Sequence, residues 1–238
     1  VSAFVRHDIA PKLDKMQRSG QKVLFEGAQG TLLDNQLGTY PFVTSSQTTA
    51  GMVAPGTGLG HSAIGHVLGI MKAYTTRVGA GPFPTRMLPD MNKKIGREGG
   101  EFGTVTGRSR DCGWLDLPAL AEAVRINDID SLAMTKLDVL TGLDKLHVCT
   151  GYKSDGATID FWPGDAELLE KVEPVWTALP GWHDRPALAR AFNGLPDNAR
   201  HFVEYVDKSL GVPVSIISTG ADRDQTIVRR DTAPLLAL

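Results

Sequence analysis

Gln29 is the first residue whose surroundings suggest chemistry, because glycines flank it in the stretch Glu26-Gly27-Ala28-Gln29-Gly30. Glycines allow backbone N–H groups to come close to a ligand, and a glutamine amide offers both a donor and an acceptor while remaining neutral. Such a group can polarise a carbonyl oxygen but cannot remove a proton. The apolar run Val23-Leu24-Phe25 comes just before, so the pattern predicts a buried strand that opens into a ligand loop. A tight turn with a surface glutamine is the alternative interpretation.

Two arginines form a second candidate site. Glycine is dense from residue 96 to residue 107, and this segment leads into Arg108-Ser109-Arg110-Asp111. A flexible loop with two arginines suits a carboxylate or a phosphate, because guanidinium groups bind such anions through paired hydrogen bonds. A solvated charged loop is the alternative interpretation of the same residues.

A third candidate site combines two polar segments, Thr135-Lys136-Leu137-Asp138 and Ser218-Thr219-Gly220, which each follow an apolar run. Ligands of open α/β sheets collect at the carboxyl ends of strands. Guanine presents a ring N–H beside an amino group, so one carboxylate can accept from both, whereas adenine offers no such pair. We therefore expect a guanine site, with Asp138 at the base edge, the Lys136 stem on its face and backbone N–H groups of the second segment at its carbonyl. For the first segment alone, a strand followed by a helix cap is the alternative.

The elements that must position these residues follow from the hydrophobic periodicity. Apolar residues spaced by three and four predict helices over residues 2–18, 62–78, 116–124 and 196–210, and apolar runs predict strands over residues 131–134 and 214–217. Ser154-Asp155-Gly156 lies between two further apolar runs and predicts a hairpin turn. We expect an α/β fold with a mostly parallel sheet, flanking helices and a β-hairpin excursion.

Composition limits the possible classes of function. The 238 residues are 42% hydrophobic and 22% charged, with a formal net charge of −2. This composition predicts a soluble globular protein and gives no electrostatic footprint for nucleic acid or an anionic membrane. Cys112 and Cys149 form no CxxC pair, which predicts reduced thiols in a cytoplasm. The six histidines lack metal-ligand spacing, so we expect no metal site among these residues.

Taken in chain order, the motifs resemble those of the adenylosuccinate synthetase family from residue 23 to residue 230. The further stretches that carry the resemblance are Gly38-Thr39-Tyr40-Pro41-Phe42-Val43-Thr44-Ser45-Ser46, Val78-Gly79-Ala80-Gly81-Pro82-Phe83-Pro84-Thr85, Gly113-Trp114-Leu115-Asp116 and Pro180-Gly181-Trp182. The family couples cleavage of GTP to the ligation of L-aspartate to IMP, the committed step towards AMP. The resemblance implies phosphorylation of the 6-oxygen of IMP and its displacement by the amino group of aspartate, in a homodimeric cytoplasmic enzyme.

The resemblance also implies roles for individual residues. Gln29 would be catalytic, because it would stabilise the 6-oxyanion, and the loop around the two arginines would close over aspartate. The implied ligand sets are Gln29, Thr44 and Arg108 for IMP; Val78, Thr104, Val105, Thr106, Gly107, Arg108, Ser109 and Arg110 for aspartate; and Arg110, Lys136, Leu137, Asp138, Ser218, Thr219 and Gly220 for GTP.

The sequence departs from the family pattern in two ways. No G-x-x-x-x-G-K-[ST] motif occurs, so we expect residues 1–238 to be the carboxyl-terminal part of a P-loop-NTPase-like synthetase domain. Its phosphate loop, general base and Mg²⁺ ligands are expected in the amino-terminal half, which would leave this chain inactive alone. Ser109 and Asp111 interrupt the family's arginine run, and Asp111 would put a negative charge beside a dianionic amino acid. A non-catalytic nucleotide-binding or dimerisation module, or a divergent relative that uses another purine nucleotide, are the alternatives.

Overall fold

The computed structural model describes residues 8–103 and 107–229. In chain order its helices and strands are α1 (Ile9–Arg18), α2 (Val53–Thr57), β1 (Leu68–Lys72), β2 (Thr75–Arg77), α3 (Pro89–Glu98), β3 (Asp111–Gly113), β4 (Leu115–Asp116), α4 (Leu117–Asn127), β5 (Ser131–Thr135), β6 (Lys145–Ser154), β7 (Ala157–Ile159), α5 (Ala166–Lys171), β8 (Glu173–Pro180), α6 (Asp197–Leu210), β9 (Val214–Ser218) and β10 (Thr226–Val228). Short 3-10 helices occupy Thr31–Leu33, Ala50–Met52, His61–Ala63, Leu137–Leu140, Pro186–Leu188 and Phe192–Gly194.

The main sheet has the strand order β1-β5-β9-β10. Strands β1, β5 and β9 are parallel, and β10 is antiparallel to β9. Four of the five residues of β5 are buried, which is typical of a parallel strand that is covered on both faces. The core includes Phe202 and Val206 of α6 together with Ile217 of β9. This arrangement confirms the predicted α/β fold with a mostly parallel sheet.

Two of the predicted helices are confirmed together with their boundary signals. Asp116 caps α4, since its side chain accepts a hydrogen bond from the Ala119 N–H (3.2 Å), and Pro118 lies in the first turn. Helix α6 begins after Pro196 and ends at Gly211, whose φ of 67° closes the helix in the left-handed region. Of the helix predicted over residues 2–18, the described part is helical from Ile9 to Arg18.

The predicted hairpin is confirmed. Strands β6 and β7 are antiparallel, and Ser154 pairs with Ala157 across a two-residue turn. Both turn residues have positive φ, 49° at Asp155 and 79° at Gly156, which is the conformation that matches the twist of the flanking strands. Strand β6 also pairs with β8 and with β4, so a second sheet is built around it.

The helix predicted over residues 62–78 is wrong, because this segment contains β1 and β2. Pairing with the largely buried β5 overrides the helical spacing. Gly69 is the clearest physical reason: a Cβ at this position would lie 2.6 Å from Ile129 Cδ1 and 3.0 Å from Leu132 Cδ2. The strand can approach its neighbours only because residue 69 has no side chain.

Two further predictions are wrong. Residues 23–25 form no strand, and Leu24 is 92% exposed, because no strand among the described residues pairs with this segment. The glycine-dense segment does not begin as a loop at residue 96, since α3 continues to Glu98 and buries Gly96. The loop therefore begins at Gly99.

Within the described residues, none of the helices combines the length and the apolar character needed to cross a membrane.

Candidate active site

The two predicted guanine segments lie at the same edge of the main sheet. Strands β5 and β9 are parallel neighbours, with Met134 paired to Ile217, so residues 135–138 and 218–220 both follow carboxyl ends. Lys136 turns the chain with a φ of 64°, and the 3-10 helix that follows carries Asp138 in its first turn. Burial raises the pKa of the half-buried Asp138 carboxyl above its ordinary value.

The second guanine segment is held by β10. The Thr219 N–H donates to the Gln225 carbonyl (2.8 Å), and the Ser218 hydroxyl donates to the Gly220 carbonyl (2.9 Å). A Cβ at Gly220 would collide with the Gln225 side chain. The Gln225 side chain therefore packs directly against the backbone of Gly220 in this turn.

The described residues of the arginine loop, 99–103 and 107–110, pair with each other as two antiparallel arms rather than forming a loose glycine loop. Phe102 and Ser109 form an antiparallel bridge. The Gly103 N–H donates to the Arg108 carbonyl (2.8 Å), and the Arg110 N–H donates to the Glu101 carbonyl (2.9 Å). The predicted aspartate ligands Thr104, Val105 and Thr106 lie outside the described residues.

A buried carboxylate, Glu101, holds this loop in place. It is 1% exposed, and its two oxygens accept from Lys72 Nζ (2.8 Å to each), Tyr74 Oη (2.6 Å) and Arg110 Nη1 (2.9 Å). Burial alone would raise the pKa of Glu101, but the hydrogen bonds from Lys72 and Tyr74 and the positive charges bring it below the ordinary value. Sequence reasoning missed Glu101, because nothing in its local pattern distinguishes it from a solvated glutamate.

Lys136 connects the arginine loop to the guanine segments. Its Nζ donates to the Gly99 carbonyl (2.8 Å). The first residue of the arginine loop is thereby fixed to the segment that follows β5.

Gln29 and Thr44, both predicted IMP ligands, are connected through Ser46. Gln29 is exposed with a φ of 65°, and its Nε2 lies 3.5 Å from Ser46 Oγ. The Ser46 N–H donates to Thr44 Oγ1 (3.0 Å). The structure therefore places these two side chains on the same surface.

The segment that carries Gln29 and Thr44 is organised by a second buried carboxylate, Asp34. Its oxygens accept from the N–H groups of Gln36 (2.9 Å), Leu37 (3.0 Å) and Thr48 (2.6 Å). Burial tends to raise the pKa of Asp34, and these N–H donors lower it below the ordinary value. Asp34 is thus a charged anchor for the whole turn.

Asn127 fastens the same segment to α4. Its Oδ1 accepts from the Ala50 N–H (2.8 Å), and its Nδ2 donates to Thr31 Oγ1 (2.9 Å). Sequence reasoning did not find Asn127, since its partners lie 77 and 96 positions away along the chain.

Arg77 brings Val78, a predicted aspartate ligand, towards both loops. Its guanidinium donates to the Ala80 carbonyl (3.2 and 3.1 Å) and the Phe42 carbonyl (3.5 Å). Arg77 and Asp111 are opposite each other in the antiparallel pair of β2 and β3. Val78, which follows Arg77, and Arg110, which precedes Asp111, therefore lie at the same end of this strand pair. The predicted aspartate ligands therefore approach the segment of Thr44.

The family model for adenylosuccinate synthetase matches residues 3–227. The chain belongs to the adenylosuccinate synthetase family. Among curated relatives, the adenylosuccinate synthetase of Desulfatibacillum aliphaticivorans is 49% identical over 224 residues, which are 94% of this chain and 52% of that protein. The chain spans about half the length of the relatives it matches.

Two solved structures are similar to this synthetase chain. Fully ligated adenylosuccinate synthetase from Plasmodium falciparum superposes with a TM-score of 0.90 at 39% identity, over 93% of this chain and 53% of that one. The succinoaminodeoxyadenylate synthetase of cyanophage S-2L, bound to dGMP and dATP, matches with a TM-score of 0.54 at 16% identity, over 94% and 52%. The second likeness is one of fold alone.

Asp111, which departs from the arginine run of the synthetase family, has its own partners. Its carboxylate lies 3.2 Å from Arg86 Nη2 and accepts from Asn92 Nδ2 at 3.2 Å. The negative charge that the sequence places beside the arginine loop is therefore compensated within the chain.

Mg²⁺, which the synthetase resemblance implies, finds no ligand set in this part of the protein. Among residues 8–103 and 107–229, no group of three or more histidine, cysteine, aspartate or glutamate side chains could hold a metal ion. Glu101 is enclosed by three donors, and such surroundings do not fit a cation.

Proposed function

We propose that the protein carrying this chain is a GTP-dependent ligase that joins L-aspartate to IMP, giving adenylosuccinate, GDP and phosphate in AMP biosynthesis. The observation that carries the proposal is the position of residues 135–138 and 218–220 at the ends of two adjacent parallel strands. Lys136 connects this edge to the arginine loop (2.8 Å). This contact supports a proposal in which the base site and the anion site are directly connected.

GTP is assigned to that sheet edge. The Asp138 carboxylate would accept from the ring N–H and the amino group of guanine, with Lys136 and Leu137 beside the base. The Thr219 N–H already donates to the Gln225 carbonyl (2.8 Å). We therefore assign the hydrogen bond to the guanine carbonyl to the Gly220 N–H, while Ser218 and Thr219 would shape the turn that surrounds the base.

IMP is assigned to Gln29, Thr44 and Arg108. The Gln29 amide would donate to the developing 6-oxyanion, and loss of such a preorganised donor costs on the order of a hundredfold to a thousandfold in rate. Its neighbour Ser46, 3.5 Å away, would limit the rotation of the amide. Support comes from the anchoring of this segment by Asp34 and Asn127.

L-aspartate is assigned to Val78, Gly107, Arg108, Ser109 and Arg110. Two guanidinium groups suit a dicarboxylate, and Arg110 would also reach the GTP phosphates. Compensation of Asp111 by Arg86 supports an anionic substrate here. Thr104, Val105 and Thr106 remain sequence-based predictions.

The remaining parts of the proposal rest on the family resemblance. A homodimer in the cytoplasm is proposed, with a P-loop-like phosphate site. The phosphate loop, general base and Mg²⁺ ligands are assigned to the part of the family's length that this chain does not cover.

The test is an assay with IMP, GTP, Mg²⁺ and aspartate, run on the full-length protein that carries this chain and on residues 1–238 alone. We expect adenylosuccinate only from the first. Binding of GTP without turnover in the full-length protein would favour a nucleotide-binding module, and use of another purine nucleotide in place of IMP would favour a divergent relative. Ordinary turnover by residues 1–238 alone would contradict the assignment of the phosphate loop to other residues.

A further inference from the structure

A polar cluster surrounds the buried carboxylate of Glu101, which the proposed reaction does not use directly. Both carboxylate oxygens accept from Lys72, and Tyr74 and Arg110 each add one donor. We propose that Glu101 is a positioning residue for the dicarboxylate substrate and acts through Arg110. The inference rests on the proposed function, because it assumes that Arg110 binds aspartate.

The geometry of Arg110 supports this role. Its Nη1 donates to Glu101 Oε2 (2.9 Å), while the side chain remains 33% exposed. A guanidinium carries five N–H donors in a rigid plane, so one bond to a fixed acceptor orients the others. The same residue fixes the backbone, since the Arg110 N–H donates to the Glu101 carbonyl (2.9 Å). Glu101 therefore fixes both the backbone position of Arg110 and the orientation of its guanidinium plane.

Glu101 is itself held rigidly. Tyr74, whose hydroxyl donates to it at 2.6 Å, is buried. A Cβ at Gly99 would also collide with Tyr74 Oη, so the loop backbone packs directly against the tyrosine. With 1% exposure, the carboxylate cannot reach a substrate, which excludes a direct catalytic contact and leaves positioning.

The charges lead to the same conclusion. Lys72 and Arg110 share one carboxylate, and burial lowers the pKa of Lys72 while Glu101 opposes that change. Neutralising Glu101 would leave two cations facing each other across a buried space. We expect Arg110, the more exposed partner, to move away from its present position. With Glu101 charged, the cluster retains a net positive charge that favours a dianion.

The first test is Glu101→Gln in the full-length protein that carries this chain. The amide preserves the size but presents an N–H where Lys72 or Arg110 donates. We expect the KM for aspartate to rise about tenfold or more, with kcat within about threefold. Glu98→Gln is the matched control: Glu98 is 52% exposed and its carboxylate lies 3.4 Å from Arg97 Nη2 on the same helix, so no constant should change. An unchanged aspartate KM in Glu101→Gln would overturn the proposal.

A double-mutant cycle separates action through Arg110 from a general structural role. If Glu101 acts through Arg110, Arg110→Ala and the double variant Glu101→Gln, Arg110→Ala should have the same aspartate KM within about twofold. Multiplication of the two separate effects would overturn the proposal. Should Glu101→Gln fail to fold, Tyr74→Phe removes only the 2.6 Å donor and should raise the aspartate KM by about threefold; no change would count equally against the proposal.

A readout without substrate distinguishes failure of this inference from failure of the proposed function. Hydrogen exchange of the Gly103 and Arg110 amides, both bonded within the arginine loop, should be at least tenfold faster in Glu101→Gln than in Glu98→Gln. If the parent protein made no adenylosuccinate but this difference appeared, only the proposed function would fail. Equal exchange in both variants would show that Glu101 does not position the loop.

Discussion

The sheet edge that we propose binds guanine, residues 135–138 and 218–220, and the two loops that we propose bind IMP and aspartate are held in place by different means. Residues 135–138 and 218–220 follow buried parallel strands, so the sheet backbone fixes them. The segment of Gln29 and the arginine loop contain no long element and depend on single buried polar side chains, Asp34, Asn127 and Glu101. A site on strands is therefore expected to tolerate surface changes, whereas each loop depends on one or two buried polar side chains.

The largest effect is expected from Gln29→Met in the full-length protein. Methionine preserves bulk but removes the amide, so kcat should fall about a hundredfold to a thousandfold. Stability should change little, because Gln29 is exposed. Steady-state kinetics and a thermal melt measure both quantities. A kcat within about tenfold of the parent would remove Gln29 from the oxyanion role.

The scaffold beneath the loops offers a pH test at Asp116. Burial raises the pKa of this carboxyl to about 6, against the lowering influence of Tyr152 and the Ala119 N–H. Because the pKa of Asp116 is higher in the folded protein than in the unfolded protein, the neutral carboxyl contributes to the stability of the fold below about pH 4. This contribution is lost as the pH rises through 6. At about 1.4 kcal/mol per pKa unit, the shift in the pKa of Asp116 corresponds to about 3 kcal/mol of unfolding free energy between these two pH values.

Asp116→Asn should remove that dependence, because the amide oxygen can still accept from Tyr152 and Ala119 but does not ionise. Denaturant unfolding between pH 4 and pH 8 measures it. We expect the parent to lose stability relative to the variant as pH rises. A constant difference across this range would show that Asp116 titrates normally.

Asp34→Asn sharpens the comparison between strands and anchors. The amide must turn its NH₂ towards the N–H of Thr48 or towards those of Gln36 and Leu37. Such a buried mismatch costs about 1–3 kcal/mol of unfolding free energy, and the KM for IMP should rise while that for GTP does not. The control is Asp14→Asn, an exposed partner of Arg18, which should be neutral. Equal changes in both variants would argue that Asp34 is no anchor.

The smallest effect is expected from Asp111→Asn. Arg86 and Asn92 already compensate this charge, so the KM for aspartate should change by less than about twofold. A several-fold fall in that KM would show instead that the Asp111 charge reaches the substrate.

The parts of the fold that the sequence predicts are those governed by local rules. Asp116 and Pro196 mark the starts of α4 and α6, and Asp155-Gly156 marks the hairpin turn. The position of residues 135–138 and 218–220 at one edge of the sheet could be predicted, because both polar motifs come directly after apolar runs. The helix assigned around Gly69 was wrong, since the contacts of this glycine with Ile129 and Leu132 have no local signal.

The anchors of the loops could not be predicted for a related reason. Burial of Glu101 requires Lys72 and Tyr74, which lie 29 and 27 positions earlier. A glutamate between glycine-rich stretches has the same local pattern whether it is solvated or enclosed. Only the folded chain shows that its carboxylate is shared by three donors.

The central claim is that the edge formed by β5 and β9 binds guanine through Asp138. The most direct measurement is competition kinetics with GTP and XTP for Asp138→Asn in the full-length protein. Asparagine turns a donor towards the guanine amino group, a mismatch of about 1–3 kcal/mol, whereas xanthine carries a carbonyl there. We predict that the variant no longer uses GTP efficiently, that it uses XTP instead, and that its KM values for IMP and aspartate do not change. A variant that prefers GTP as strongly as the parent would contradict the claim and return residues 135–138 to a strand end with a helix cap.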